Sequence, residues 1–239
     1  MSGAARWIAV ILGATGFLLL GYCGMALLDS RLAQTEGTLK LNRLLQQHAE
    51  IHAPAAPPVY RPSHGDLIGK VDIPRLKLSA VVFEGTDDVV LNRGVGHLTG
   101  SALPLPGQSS GNVVLAAHRD SFFRDLRNIR QGDIVDVTTE FGARRYEVES
   151  TEIVNPTDVS VEAPTRDSTL TLITCYPFYY VGHAPKRFIV RAEDQAELSA
   201  RGNGVVKPAS AASVEDPNKA PAYVSYAVFA DSSPNAGLN

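Results

Sequence analysis

Three side chains far apart along the sequence, Cys175, His118 and Arg187, have the types and settings that covalent chemistry requires. A free thiol titrates near about 8.5, so at neutral pH only a few per cent of it is the nucleophilic thiolate. A catalytic cysteine therefore needs a cation or a base beside it. Arg187 keeps its proton at any ordinary pH and offers several N–H donors. A guanidinium beside a thiol lowers the thiol pKa, grips a substrate carbonyl and stabilises the oxyanion of a tetrahedral intermediate. His118 brings a group that carries protons near neutrality. The chemistry these three suggest is acyl transfer through sulfur. The plainer alternatives are a packed, inert cysteine, a surface histidine, and an arginine ion-paired to Asp120 or Glu193.

Local sequence gives each of them a platform. Thr169-Leu170-Thr171-Leu172-Ile173-Thr174-Cys175 is rich in β-branched and leucine residues and reads as a strand that stops at the cysteine. Pro177 then removes a ladder donor. Lys186-Arg187-Phe188-Ile189-Val190 resumes the strand pattern. If the two runs pair as a hairpin, Arg187 lies beside Cys175. Asn112–His118 is a further apolar run, ending at the histidine.

The rest of the chain frames this unit. The 239 residues carry a formal net charge of −3, which gives no electrostatic reason to expect a nucleic-acid partner. Residues 1–30 read as a membrane anchor. No charge falls between Trp7 and Leu28, roughly 22 residues, about the length of a bilayer-spanning helix and longer than the apolar core of a cleaved signal peptide. The flanking charges, Arg6 before and Arg31, Lys40 and Arg43 after, set its orientation only weakly. Residues 31–65 read as a juxtamembrane stalk and a Pro-rich linker. The stalk is helical with an incomplete apolar stripe, which predicts a solvated element rather than a core one.

From 66 to 192 short β runs dominate: Ile68–Ile73, Leu78–Phe83, Asn112–His118, Asp133–Thr138 and Arg144–Val154, besides the two around the site. This is the pattern of an all-β barrel or sandwich. Thr86–Asn92 reads as a helical turn capped by Thr86. Gly94 to Gly111 reads as a loop, and Ser121–Ile129 as a short helix capped by Ser121. Beyond 193 the composition turns to Ala, Ser, Pro, Asn and Gly, and 193–239 reads as a disordered tail. One of the two cysteines, Cys23, lies in the apolar run, so the domain has no partner for an internal disulfide. His97, His118, His183 and Cys175 lack the tight spacing of a zinc site, so no metal is expected.

At these residues the sequence resembles the sortases. The resemblance is carried by Thr171-Leu172-Ile173-Thr174-Cys175, by Arg187 on the following strand and by His118 at the end of an earlier one. Cys175-Tyr176-Pro177-Phe178-Tyr179-Tyr180-Val181-Gly182-His183-Ala184-Pro185-Lys186-Arg187 looks most like class D, and Leu115-Ala116-Ala117-His118-Arg119-Asp120-Ser121-Phe122-Phe123-Arg124 fits the same group.

The resemblance implies a closed eight-stranded β-barrel held outside the cytoplasmic membrane. It implies transpeptidation of proteins bearing a C-terminal Leu-Pro-x-Thr-Gly-like signal, with an envelope amine as acceptor. By position, Cys175 is then the nucleophile that cleaves after the signal's threonine, His118 the acid/base and Arg187 the oxyanion and substrate holder. Thr174 and Asp120 become positioning groups. No cofactor is implied; calcium binds some sortases, but no dense carboxylate loop here supports it. Pilus-polymerising relatives often carry a C-terminal membrane segment, and the polar tail points instead to a housekeeping or spore-type anchoring role. Two other functions fit the residues: a thiol peptidase that only hydrolyses, and a non-catalytic domain that binds envelope peptides.

Overall fold

The computed structural model describes residues 3–50, 60–108, 110–180 and 182–202. The alternating runs form eight strands: β1 (Leu67–Ile73), β2 (Leu78–Glu84), β3 (Val95–His97), β4 (Gly111–Ala116), β5 (Ile134–Thr139), β6 (Gly142–Val154), β7 (Ser168–Tyr176) and β8 (Lys186–Asp194). They close in the order β1-β2-β3-β4-β7-β8-β6-β5, with β5 pairing back onto β1. The architecture is therefore a barrel and not a sandwich. Closure leaves no long free edge, which is how a sheet of short strands avoids pairing with other chains. A register shift between Val148 and Ser150 bends β6, so that its first half serves β5 and its second half β8.

Side chains alternate between two apolar layers. The interior is filled by residues such as Val71, Val82, Leu115, Val137, Leu172 and Val190. The outer face of β4, β7 and β8 carries Val114, Ala116, Ile173 and Ile189, covered by Leu91, Leu98 and Val161. Each fully buried aliphatic side chain contributes about 1.5–3 kcal/mol. The strands next to the site are thus buried on both faces, which is why β7 reads as a continuous apolar and threonine run.

Two charged networks are enclosed by the barrel. His97 Nδ1 meets Glu84 Oε2 at 2.6 Å, and its Nε2 lies 2.9 Å from the Ala102 carbonyl and 3.0 Å from Ser101 Oγ. Arg144 donates to Asp194 at 2.5 Å and to Ser168 Oγ at 2.7 Å, tying the end of β8 to the starts of β6 and β7.

Several elements differ from the sequence reading. The span and the stalk form one uninterrupted helix, α1 (Gly3–Glu50), and the stalk half is docked rather than solvated. Ala33 and Leu41 are buried, and Ala33 packs with Val81, Phe83 and Val90. The Gln34 amide accepts from Val81 N at 2.8 Å and donates to the Arg93 carbonyl at 2.7 Å. A stripe at residues 33, 37 and 41 made only of Ala, Gly and Leu has little apolar contrast. It nevertheless lets the helix approach closely: a Cβ at Gly37 would stand 2.7 Å from Val81 Cγ1.

The short helix α2 (Asp88–Arg93) is capped by Asp87, whose carboxylate accepts from Val89 N, and not by Thr86. The glycine-rich loop contains β3. The segment after His118 makes turns and then a 3-10 helix over Arg124–Asn128 instead of an α-helix. Phe123 and Leu126 are still buried there, as the apolar spacing requires. Residues 193–202 are ordered: β8 runs to Asp194 and a helix, α3 (Gln195–Gly202), follows. Asp194 Oδ1 accepts from Ala196 N at 2.8 Å, so Asp194 through Glu197 carries a helix-start signal inside the stretch read as tail. The linker residues 51–59 and the tail beyond 202 lie outside the described residues.

Candidate active site

Antiparallel pairing sets Cys175 of β7 directly opposite Arg187 of β8. Directly opposed residues share a face, so thiol and guanidinium emerge on the same side of the sheet. That side is the outer one. Cys175 lies two residues beyond Ile173, and Arg187 two residues before Ile189, both members of the outer apolar layer.

Parallel pairing of β4 with β7 brings in the histidine. Ala116 pairs with Ile173, and Ala117 N donates to the Ile173 carbonyl at 3.2 Å. β4 ends at Ala116, and His118 follows two residues later, just past the last bond to β7, on the side of the barrel where β7 ends at Cys175 and Tyr176. The Thr174 hydroxyl, wholly buried, donates to the Ala117 carbonyl at 2.7 Å and fastens the two strand ends together. The His118 carbonyl accepts from Phe123 N at 3.2 Å, and the buried Phe123 holds the turn against the core. Cys175, His118 and Arg187 are all half-buried.

Burial is the largest influence on the thiol and pushes its pKa up. The guanidinium of Arg187, then that of Arg119, pulls it back, and the carboxylate of exposed Asp120 pushes it up again. The net direction is upward, which favours the neutral thiol over the thiolate.

Asp120 therefore reaches the site electrostatically. Arg119, which the sequence reading passed over, is bound into the site's rim. Its Nη2 donates to the carbonyls of Tyr180 at 2.7 Å and Gly182 at 3.0 Å, and its guanidinium lies 5.9 Å from the Tyr180 ring. Arg127 Nη1 donates to the Tyr179 hydroxyl at 2.6 Å. Two arginines of the segment after β4 thus hold consecutive tyrosines of the β7–β8 connection. The signal in the sequence was a basic residue next to the candidate histidine and an aromatic run next to the cysteine, but only the fold brings the two together. Phe178 and Phe188, with ring centroids 5.4 Å apart, close the barrel mouth beneath this connection.

No group of three or more His, Cys, Asp or Glu side chains is placed to hold a metal ion among the described residues. His97 is held inside the barrel by Glu84 and His64 on the surface by Asp87, so neither joins Cys175.

This arrangement has known counterparts. Residues 71–195 match the model of the Sortase domain family. Sortase D of Bacillus subtilis (strain 168) is 33% identical over 192 residues, covering 77% of this chain and 95% of the relative. The structure of a Clostridium perfringens Sortase D5 transpeptidase superposes with a TM-score of 0.54 at 24% identity, covering 70% of this chain and 98% of that one. Clostridium perfringens sortase C, solved with the C-terminal cell wall sorting motif, gives a TM-score of 0.52 at 27% identity, covering 67% and 88%. With the barrel, the thiol and these matches in place, the chain belongs to the sortase family of cysteine transpeptidases and is most like its class D members.

Proposed function

We propose that this protein is a membrane-anchored, extracytoplasmic transpeptidase that cleaves a C-terminal Leu-Pro-x-Thr-Gly-like sorting signal after its threonine and joins the protein to an envelope amine. The observation that carries this reading is the cross-strand pair Cys175–Arg187, with His118 two residues beyond the end of the strand that pairs with β7. The sorting motif present in the related Clostridium perfringens sortase C supports the substrate class. The uncharged helical run supports the anchor: α1 is long and apolar enough to cross a bilayer.

In the first half-reaction Cys175 Sγ attacks the threonine carbonyl carbon. The thiol proton passes by way of His118 to the departing glycine nitrogen, the C–N bond breaks, and a thioester remains on Cys175. Arg187 donates to the carbonyl oxygen as it becomes an oxyanion. In the second half-reaction an amine attacks the thioester and gives its proton to His118, and sulfur leaves to recover the proton. Thr174 positions the two strand ends, and Asp120 and Arg119 adjust the thiol's readiness. No metal step is needed for this sequence of transfers.

Tethering the enzyme beside membrane-held substrates raises their effective concentration, and the docking of α1 on the barrel at Ala33, Gln34 and Gly37 sets the reach. Product analysis with a sorting-signal peptide tests the proposal. Added amine should divert the product from free acid to amide. An unchanged free-acid product would make the enzyme a hydrolase instead.

A further inference from the structure

Helix α1 presents two opposite faces beyond the apolar run. Ala33, Gly37 and Leu41 meet the barrel. On the wheel of an α-helix, Leu28, Leu32 and Leu39 lie roughly 180° from that stripe. They are 62%, 58% and 52% exposed. With Thr35, Asn42 and Gln46 they repeat at alternating steps of four and three, the spacing of the a and d positions of a parallel coiled coil. The same steps continue back through Met25, Gly21 and Leu18 into the apolar run, all exposed. The docked barrel lies on the far side, where it does not obstruct a second helix.

We propose that this seam pairs with a second copy of the chain, giving a parallel dimer joined along α1. Charge placement favours a like chain in parallel. With Leu32 at an a position, Arg31 falls at g and Glu36 at e, and g of one helix faces the following e of its partner. Arg31 of each copy therefore meets Glu36 of the other, and both side chains are exposed here. The parallel orientation rests on the proposed membrane reading, in which both helices enter the bilayer the same way. That confinement also offsets much of the cost of association for a short seam. The dimer would set two barrels side by side, each with its own complete site.

The test is disulfide cross-linking of the full chain in membranes, in a background with Cys23→Ser and Cys175→Ala. Leu32→Cys, Thr35→Cys and Leu39→Cys should cross-link at least about tenfold faster than Lys40→Cys, which is exposed but off the seam. Equal rates, or none, overturn the dimer. In the Leu39→Cys background, Arg31→Glu and Glu36→Arg should each slow cross-linking several-fold, and the double exchange should restore it. A double exchange no faster than the singles overturns the parallel register. The substituted positions on α1 are all exposed, so these changes leave the barrel intact. Carbonate extraction of the same membranes separates the failures. An embedded chain without cross-links sinks the dimer alone. A chain released by carbonate sinks the anchor, and its cross-linking pattern still decides whether the seam pairs.

Discussion

The Thr174 hydroxyl donates to the Ala117 carbonyl, and this one bond joins the residue before the proposed nucleophile to the residue before the proposed acid/base. Thr174 is fully buried, so nothing else can solvate that carbonyl if the hydroxyl is lost. Thr174→Val keeps the shape and removes the donor. It should cost about 1–3 kcal/mol of stability and lower kcat, with Thr174→Ser recovering most of both. Thermal unfolding with peptide-cleavage kinetics checks this; a fully active Thr174→Val would show that the bond does not position the pair.

The direction of the Cys175 shift gives a pH prediction. Burial favours the neutral thiol, so alkylation by iodoacetamide should rise with pH through an inflection above that of a free cysteine. Arg187→Ala removes an opposing cation and should move the inflection higher. Asp120→Asn removes a carboxylate and should move it lower. An inflection well below neutrality would mean a resting thiolate and contradict the proton path given above.

Arg119 binds two carbonyls through one nitrogen while its planar guanidinium lies 5.9 Å from a ring, and the compact lysine ammonium lacks that plane and fork. Arg119→Lys should therefore raise KM and loosen the β7–β8 connection while leaving the barrel folded. Hydrogen exchange at residues 178–184, read beside the kinetics, detects it. Unchanged exchange and KM would reduce Arg119 to a surface contact.

The acid limb of stability should include Asp133. The hydrogen bond from Arg75 is the main cause holding its carboxyl below the usual range. A depressed carboxylate stabilises the fold above its unfolded pKa, about 3.9, and that contribution fades as pH falls through the lower folded value. Asp133→Asn should be less stable than the parent at pH 7, with the gap closing in strong acid. A gap independent of pH would remove the ion pair from the account.

Docking of α1 can be broken at one atom. Gly37→Leu places a side chain where Val81 already stands, and it should free the Val81 amide from the Gln34 bond. Exchange at Val81 should accelerate about tenfold or more, as loss of a partner worth about 1–3 kcal/mol implies. No acceleration would mean that the helix and barrel meet loosely.

How much of this was legible depends on the range of the interaction. The strands flanking the site are marked by local runs of β-branched and apolar residues, and the Cys175–Arg187 pairing follows once two such runs are read as a hairpin. His118 could be placed because the apolar run before it is a strand. The brace of Arg119 on Tyr180 depends on a contact 61 residues distant in sequence, and neither residue announces it. Docking of Ala33 and Gly37 was hidden because close helix approach needs small residues, which carry little apolar signal. After His118 the amides of Ser121 and Phe123 both turn back to the His118 carbonyl, a non-local detail of the turn that the apolar spacing of Phe122, Phe123, Leu126 and Ile129 does not encode. Composition alone obscured α3, where Asp194 is engaged by Arg144 inside the barrel end and cannot belong to a solvated tail.

The central claim is that Cys175 sulfur carries the acyl group. Intact-mass spectrometry of the purified chain with a Leu-Pro-x-Thr-Gly-type peptide reads this directly. The account predicts an adduct equal to the signal peptide truncated after threonine, mapped to Cys175, absent in Cys175→Ala and discharged by added amine. An adduct on another residue, or amide product formed by Cys175→Ala at the parent rate, would contradict it.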